Sequence, residues 1–200
     1  MADKSKKASF TQRLVAYLID IILISFIVSL ISLPFIDQDS INNLNEDSKN
    51  IATKYLAQEI DTKAYLDEFS SLSYQLDRQE GVVILITIFV SIVYFVLYQF
   101  YKSGQTIGKK IMKIKVISEE DTLSINTLVI RSVIINSIFY QIVRVALVSF
   151  INNSVDYMSI KFALEGIQNL IIIVSALMIL YSKNKKGIHD IIAKTSVVNI

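Results

Sequence analysis

The chain has 200 residues, of which 52% are hydrophobic, and its 20 basic and 18 acidic residues give a formal net charge of only +2. The absence of cysteine excludes a disulfide framework and a sulfur-ligated zinc site, and one histidine argues against an Asp/Glu/His metal cluster, so we expect no metal and no cofactor. The hydrophobic residues are gathered in long runs, which excludes a soluble core and predicts a membrane protein in contact with the lipid bilayer.

Four apolar runs predict membrane-spanning helices. They cover residues 14–36, 82–101, 125–151 and, roughly, 167–181. A helix needs about 20 residues to cross the hydrocarbon core of a bilayer. The first run is too long for the apolar part of a cleaved signal peptide and no small-residue cleavage site follows it, so we expect it to stay in the mature protein.

The distribution of charge predicts the orientation. Basic clusters precede the first run and follow the second and fourth runs: Lys4, Lys6, Lys7 and Arg13; Lys102, Lys109, Lys110, Lys113 and Lys115; and Lys183, Lys185, Lys186 and Lys194. With four spans these clusters share one side, which the positive-inside rule makes cytoplasmic. We therefore expect a multi-pass cell-membrane protein with cytoplasmic N- and C-termini. The clusters suit anionic lipid headgroups, and we expect no nucleic-acid partner.

The acidic segment 37–80 is then extracellular and too long to be a plain connection. Apolar residues at helical spacing predict two amphipathic helices in it, near residues 46–60 and 62–76. Two interpretations stay open for this insertion, either a lid that packs on the bundle or a surface for a partner or substrate.

Residues 103–110, SGQTIGKK, follow the second run. The motif is not a phosphate-binding loop, because such a loop needs four residues between its glycines and Ser or Thr after the lysine. Alternating apolar residues then predict a short strand at 111–117, and Ser124 is a suitable N-cap for the third helix. A last strand at 195–200 would pair with the first. The predicted fold is an all-α membrane protein, a four-transmembrane-helix bundle with an extracellular helical insertion and a small cytoplasmic β pair.

Asp20 lies inside the first apolar run, where a carboxylate costs about 2.5 to 3.5 kcal/mol. Asp20 and Arg131 lie equally far into the first and third runs, which start on the same predicted side, so we predict that they pair. Arg13, nearer the surface, would then hold Asp190. Asp20 is either a carrier of H⁺ or Na⁺ or a structural charge that fixes helix register. His189 either titrates near neutral pH or is an inert surface residue.

Three stretches together resemble the RDD family of small bacterial membrane proteins, named for one arginine and two aspartates. They are RLVAYLID at residues 13–20, GQTIGK at 104–109, and GIHD at 187–190 with Thr195 and the valines behind it. The resemblance covers residues 10–36, about 94–136, and 183–198. It makes Arg13, Asp20 and Asp190 the name-giving residues. The chain departs from the family pattern at Lys194, where family tails usually carry glycine.

Members of this family are thought to act in transport, with cation/proton antiport proposed for some. The resemblance therefore implies small-ion or small-solute transport, with H⁺ or Na⁺ as the coupled ion. Four spans without an inverted repeat would need a homo-oligomer to form a path. The ion-coupling candidates are Arg13, Asp20 and Asp190, with support from Arg131, Arg144, His189, Gly104, Thr106, Gly108 and Lys109.

The alternative is a non-transporting accessory or assembly membrane protein, which the long outer insertion favours. We do not expect an enzyme, because the sequence has no Ser/His/Asp set, metal cluster or nucleotide loop.

Overall fold

The computed structural model describes residues 6–120 and 122–200, so Lys4 of the first basic cluster lies outside the described residues. The helices are α1 Phe10–Ser32, α2 Gln38–Leu56, α3 Thr62–Gln79, α4 Gly81–Ile92, α5 Gln99–Tyr101, α6 Ile107–Ile111, α7 Ile125–Ile135, α8 Ile138–Phe150, α9 Ser154–Tyr181 and α10 Ile188–Ile192. The strands are β1 Ile114–Ser118 and β2 Thr195–Asn199. A 3₁₀ turn, Leu33–Phe35, extends α1, and a π-helical segment, Val93–Tyr98, joins α4 to α5.

Among the described residues, three helical segments are long and apolar enough to cross a membrane. They are Phe10–Phe35, Gly81–Tyr101 and Ser154–Tyr181. The last begins well before residue 167, where the sequence predicted the fourth span. Asn153 explains this early start, because its side-chain oxygen caps α9 by accepting hydrogen bonds from the backbone N–H groups of Val155 and Asp156.

The third predicted span, 125–151, is wrong as a single helix. It is divided into α7 and α8, which are bent by 65°. At the break Ser137 has a φ of +55°, a left-handed conformation that cannot continue a right-handed helix. The predicted cap is confirmed, since the Ser124 hydroxyl accepts a hydrogen bond from Thr127 N–H at 3.1 Å. If the bent pair is one span, the structure has four.

The predicted β pair is confirmed, and it brings the two ends of the chain together. β1 and β2 are antiparallel, with Val116 opposite Val197. Ala8 N–H donates to the Val197 carbonyl at 3.0 Å beside this pair. β1 begins later than predicted because Ile107–Ile111 forms the short helix α6. The apolar cluster at this end consists of Ala8, Ala16, Val96, Ile114, Val116, Leu128 and Val197. We call it the β-pair end of the bundle.

At the other end, α2 and α3 form a hairpin whose apolar faces meet at Leu44, Ile51 and Leu72. The two predicted amphipathic helices are thus confirmed, although α2 begins earlier than expected. Asp37 and Asp61 cap the two helices by accepting backbone N–H groups. We call this the hairpin end.

Asp77 fastens the hairpin to the bundle. This nearly buried carboxylate at the end of α3 accepts hydrogen bonds from Arg144 on α8, and from Tyr157 and Lys161 on α9. Burial opposes ionisation of Asp77, but the hydrogen bonds from Arg144, Lys161 and Tyr157 outweigh it and lower its pKa below the usual range. The hairpin is therefore held firmly against the rest of the structure.

The bend between α7 and α8 gives a prediction at Ser137. A non-glycine residue in a left-handed conformation costs about 1 to 2 kcal/mol, so Ser137→Gly should raise the free energy of unfolding by about 1 kcal/mol. The matched control is Ser149→Gly inside α8, which should lower it by about 0.5 kcal/mol. Both are measured by thermal unfolding in detergent. If Ser137→Gly destabilises the protein as Ser149→Gly does, residues 125–150 form a continuous helix and the bend is wrong.

Candidate functional site

Asp20 is a buried hub of hydrogen bonds on α1, with 1% of its surface exposed. Its carboxylate accepts from the Tyr94 hydroxyl at 2.6 Å, the Thr106 hydroxyl at 2.5 Å and the Gly108 backbone N–H at 2.7 Å. Asp20 thus joins α1 to the π-helical segment and to α6. The predicted Asp20–Arg131 pair is wrong, because α6 folds back onto α1 and its donors take the carboxylate.

The SGQTIGKK motif builds this contact. The Thr106 hydroxyl caps α6 by accepting from Lys109 N–H at 3.3 Å. Gly108 lies directly against α1, and an added Cβ would overlap the Ala16 carbonyl and crowd the Asp20 carboxyl carbon. Gly104 makes the preceding turn with a φ of +91°. Gly108 therefore allows α6 to approach α1 closely, and Gly104 allows the chain to turn before α6.

Asp190 on α10 is the second buried carboxylate, with 0% of its surface exposed. It accepts from Arg13 Nη1 at 2.7 Å, from Arg131 Nη1, and from the Gly187 backbone N–H at 3.0 Å. The predicted Arg13–Asp190 pair is confirmed, and Arg131 is the second cation of this cluster. Burial opposes ionisation of Asp190, but the guanidinium groups of Arg131 and Arg13 hold its pKa well below the usual range.

His189 is buried beside this cluster. Its Nδ1 lies 2.9 Å from the Ser175 hydroxyl on α9, and its Nε2 lies 3.6 Å from Asp190. Burial and the Arg131 charge lower the pKa of His189 to about 3. Both interpretations from the sequence are therefore wrong, since His189 neither titrates near neutral pH nor lies on the surface. It ties α10 to α9.

A cavity of about 60 Å³ lies between α1, which carries Asp20, and α10, which carries Asp190. Its charged and polar lining consists of Arg13, Tyr17, Asp20, Gln99, Lys109, Arg131, Ser132, Asn136 and His189. Lys109 Nζ donates to the Gln99 amide oxygen at 3.1 Å. Within the described part of the chain, Arg13 Nε and Nη2 and the Asn136 amide oxygen are buried without a hydrogen-bond partner. A cavity with such a lining suits water or a small polar solute.

An apolar groove of about 170 Å³ adjoins the cavity, between α1, α7 and α9. Arg13, Tyr17 and His189 line both spaces. The cavity and the groove are therefore neighbouring spaces separated by these shared side chains.

Arg144, named from the sequence with the other candidates, does not belong to this site. It pairs with Asp77, and with Glu80 at 3.3 Å, at the hairpin end. Tyr94 and Gln99 were not predicted as site residues. Both are polar residues inside the second apolar run, and this position could have identified them. Asp77 carried no such signal, since it is one of many acidic residues in segment 37–80.

Apolar helices long enough to cross a bilayer, joined by buried hydrogen-bonded charges, define an integral membrane protein with several spans. The RDD family model matches residues 7–194, nearly the whole chain, and the protein belongs to the RDD family. No curated protein and no solved structure matches the chain. Lys194, the departure from the family pattern, has a φ of +49°, a conformation that glycine adopts at lower cost.

The Asp20 hub gives a prediction about stability. In Asp20→Asn one acceptor oxygen becomes an N–H donor, so Thr106, Tyr94 or Gly108 loses its acceptor inside the protein. A charged hydrogen bond contributes about 1.5 to 3 kcal/mol, and Asp20→Asn should lower the free energy of unfolding by at least that amount. Thermal unfolding in detergent measures it, with exposed Asp67→Asn as the control. An Asp20→Asn protein as stable as the wild type would contradict this structural role.

Proposed function

We propose that the protein exchanges a small monovalent cation for protons across the cell membrane, through the cavity beside Asp20. The observation that carries the proposal is the cavity itself, a small space lined by charged and unpartnered polar groups and enclosed by apolar helices. Ionisable residues are costly inside a membrane and usually mark an ion or proton path. Membership in the RDD family, for which transport is the expected activity, agrees with it. We propose no catalytic activity.

The α7–α8 break supports the same proposal. Broken helices in membrane proteins are tolerated where the free backbone lines a cavity, and transport sites are often built at such breaks. Asn136, at the break, lines the cavity with its unpartnered amide oxygen. We take α7 and α8 as one interrupted span, which gives four spans. Because the chain shows no inverted repeat, a homo-oligomer would complete the path.

With four spans, the positive-inside rule supports an orientation in which the β-pair end and both termini are cytoplasmic and the hairpin lies outside. Asn45 on α2 and Asn184 after α9 are exposed, and the chain has no cysteine of its own. In intact cells Asn45→Cys should react with a membrane-impermeant maleimide, whereas Asn184→Cys should react only after permeabilisation. The reverse labelling pattern would overturn the proposed orientation.

Transport is tested with purified protein in proteoliposomes that contain a pH-sensitive dye. When Na⁺ is added outside the vesicles, the dye inside should report a rise in pH, because protons leave each vesicle as Na⁺ enters it. Asn136→Leu replaces a polar group of the cavity by an apolar one of similar size and should lower the rate by about tenfold, the effect of 1.4 kcal/mol on a barrier. The control is Asn169→Leu on the exposed face of α9, which should leave the rate unchanged.

A second candidate is an accessory protein that positions a partner outside the cell. The fixed hairpin supports it, because Asp77 holds α3 against α8 and α9. A folded protein that moves neither Na⁺ nor protons in proteoliposomes would favour this candidate over transport.

A further inference from the structure

We propose that the ε-amine of Lys109 is the proton-binding site of the cavity, the group that takes up and releases the exchanged proton. This inference rests on the proposed exchange function and names the residue that carries its proton. The family signature directs attention to aspartate carboxylates, whereas the geometry points to a lysine between them.

Lys109 differs from the other cations of the cavity in its partners. Arg13 and Arg131 both donate to Asp190. For Lys109, no carboxylate of the described residues lies within the ion-pair distance of 4.0 Å, and its one hydrogen-bond acceptor is the neutral Gln99 amide at 3.1 Å. The Phe95 ring centroid lies 5.9 Å from Nζ. An ammonium in such surroundings is poorly compensated, whereas a neutral amine fits them well.

The charged and titratable groups around Lys109 come from three elements. They are Arg13, Tyr17 and Asp20 on α1, Arg131 on α7, and His189 and Asp190 on α10. Burial and the Arg131 charge disfavour the ammonium, the charges of Asp20 and Asp190 favour it, and the balance lowers the pKa of Lys109 to about 7. Lys109 therefore has both protonation states available near neutral pH.

The neighbouring groups are not free to take this role. Asp20 already accepts three hydrogen bonds, and Asp190 is held between two arginines. His189 stays neutral because its pKa is lowered to about 3. Among these groups, Lys109 is the one whose charge can change without breaking an ion pair or the hydrogen bonds of a buried carboxylate.

A change of charge on Lys109 changes what the cavity admits. The two arginines and the two aspartates cancel, so the site is neutral with the amine and carries one positive charge with the ammonium. A small cation entering the cavity is repelled by the ammonium and not by the amine. Cation entry and the proton on Lys109 then exclude each other, and this exclusion couples the two ions.

The first experiment does not depend on transport. Protein labelled with [ε-¹³C]lysine is titrated by NMR in detergent, and the Lys109 signal is assigned by its loss in Lys109→Arg. The Lys109 signal should titrate near pH 7. A Lys109 signal that is still that of an ammonium at pH 9 would overturn the proposal, whether or not the protein transports ions.

The second experiment measures the coupling between cation flux and the proton on Lys109. In proteoliposomes the wild-type rate should rise about tenfold from pH 6 to pH 8, because a group that titrates at about 7 gains about tenfold in neutral form over that interval. Lys109→Arg, a permanent cation, should abolish flux at every pH, and Lys109→Met should pass the cation without moving protons. The control is the exposed neighbour, Lys110→Met, which should keep the wild-type pH profile. Proton-coupled flux in Lys109→Met would overturn the assignment while leaving exchange itself established.

Discussion

The Asp190 carboxylate accepts hydrogen bonds from Arg13 on α1 and Arg131 on α7 while completely buried. A buried carboxylate between two guanidinium groups keeps three charges satisfied at once, and removing Asp190 leaves both arginines without their carboxylate. Because the three residues come from distant parts of the chain, their cluster fixes the tail and α7 against the first helix. The β-pair end of the bundle depends on this contact.

The remaining contacts of the site follow from that arrangement. With Arg131 committed to Asp190, Asp20 is left to the hydroxyl and backbone donors of Tyr94, Thr106 and Gly108. The motif helix α6 therefore packs on α1, and Lys109 is carried to the cavity without a carboxylate of its own. Among the described residues of the cavity, Lys109 is thus the cation that is left without an ion pair.

Much of the fold was predictable because its signals are local. Apolar runs, alternation in the strands and the Ser124 cap depend on near neighbours in the chain. The Ser137 break was not predictable, since a serine in a helical pattern gives no sign of a left-handed φ. The Arg13–Asp190 pair was predicted, but the assignment of Arg131 to Asp20 failed. Equal depth in two spans says nothing about which donors α6 brings to Asp20.

Asp190 and Arg131 form a coupled ion pair inside the protein. A double-mutant cycle with Asp190→Asn and Arg131→Gln tests it by thermal unfolding in detergent. Asp190→Asn should destabilise the protein by about 3 to 5 kcal/mol, because it leaves two buried guanidinium groups unpaired. Arg131→Gln should cost about 1.5 to 3 kcal/mol, the loss of a charged hydrogen bond, because Arg13 still pairs with Asp190. The double variant should recover about 2 kcal/mol of the summed loss. Losses that simply add, or an Asp190→Asn protein as stable as the wild type, would show that Asp190 and Arg131 are not coupled.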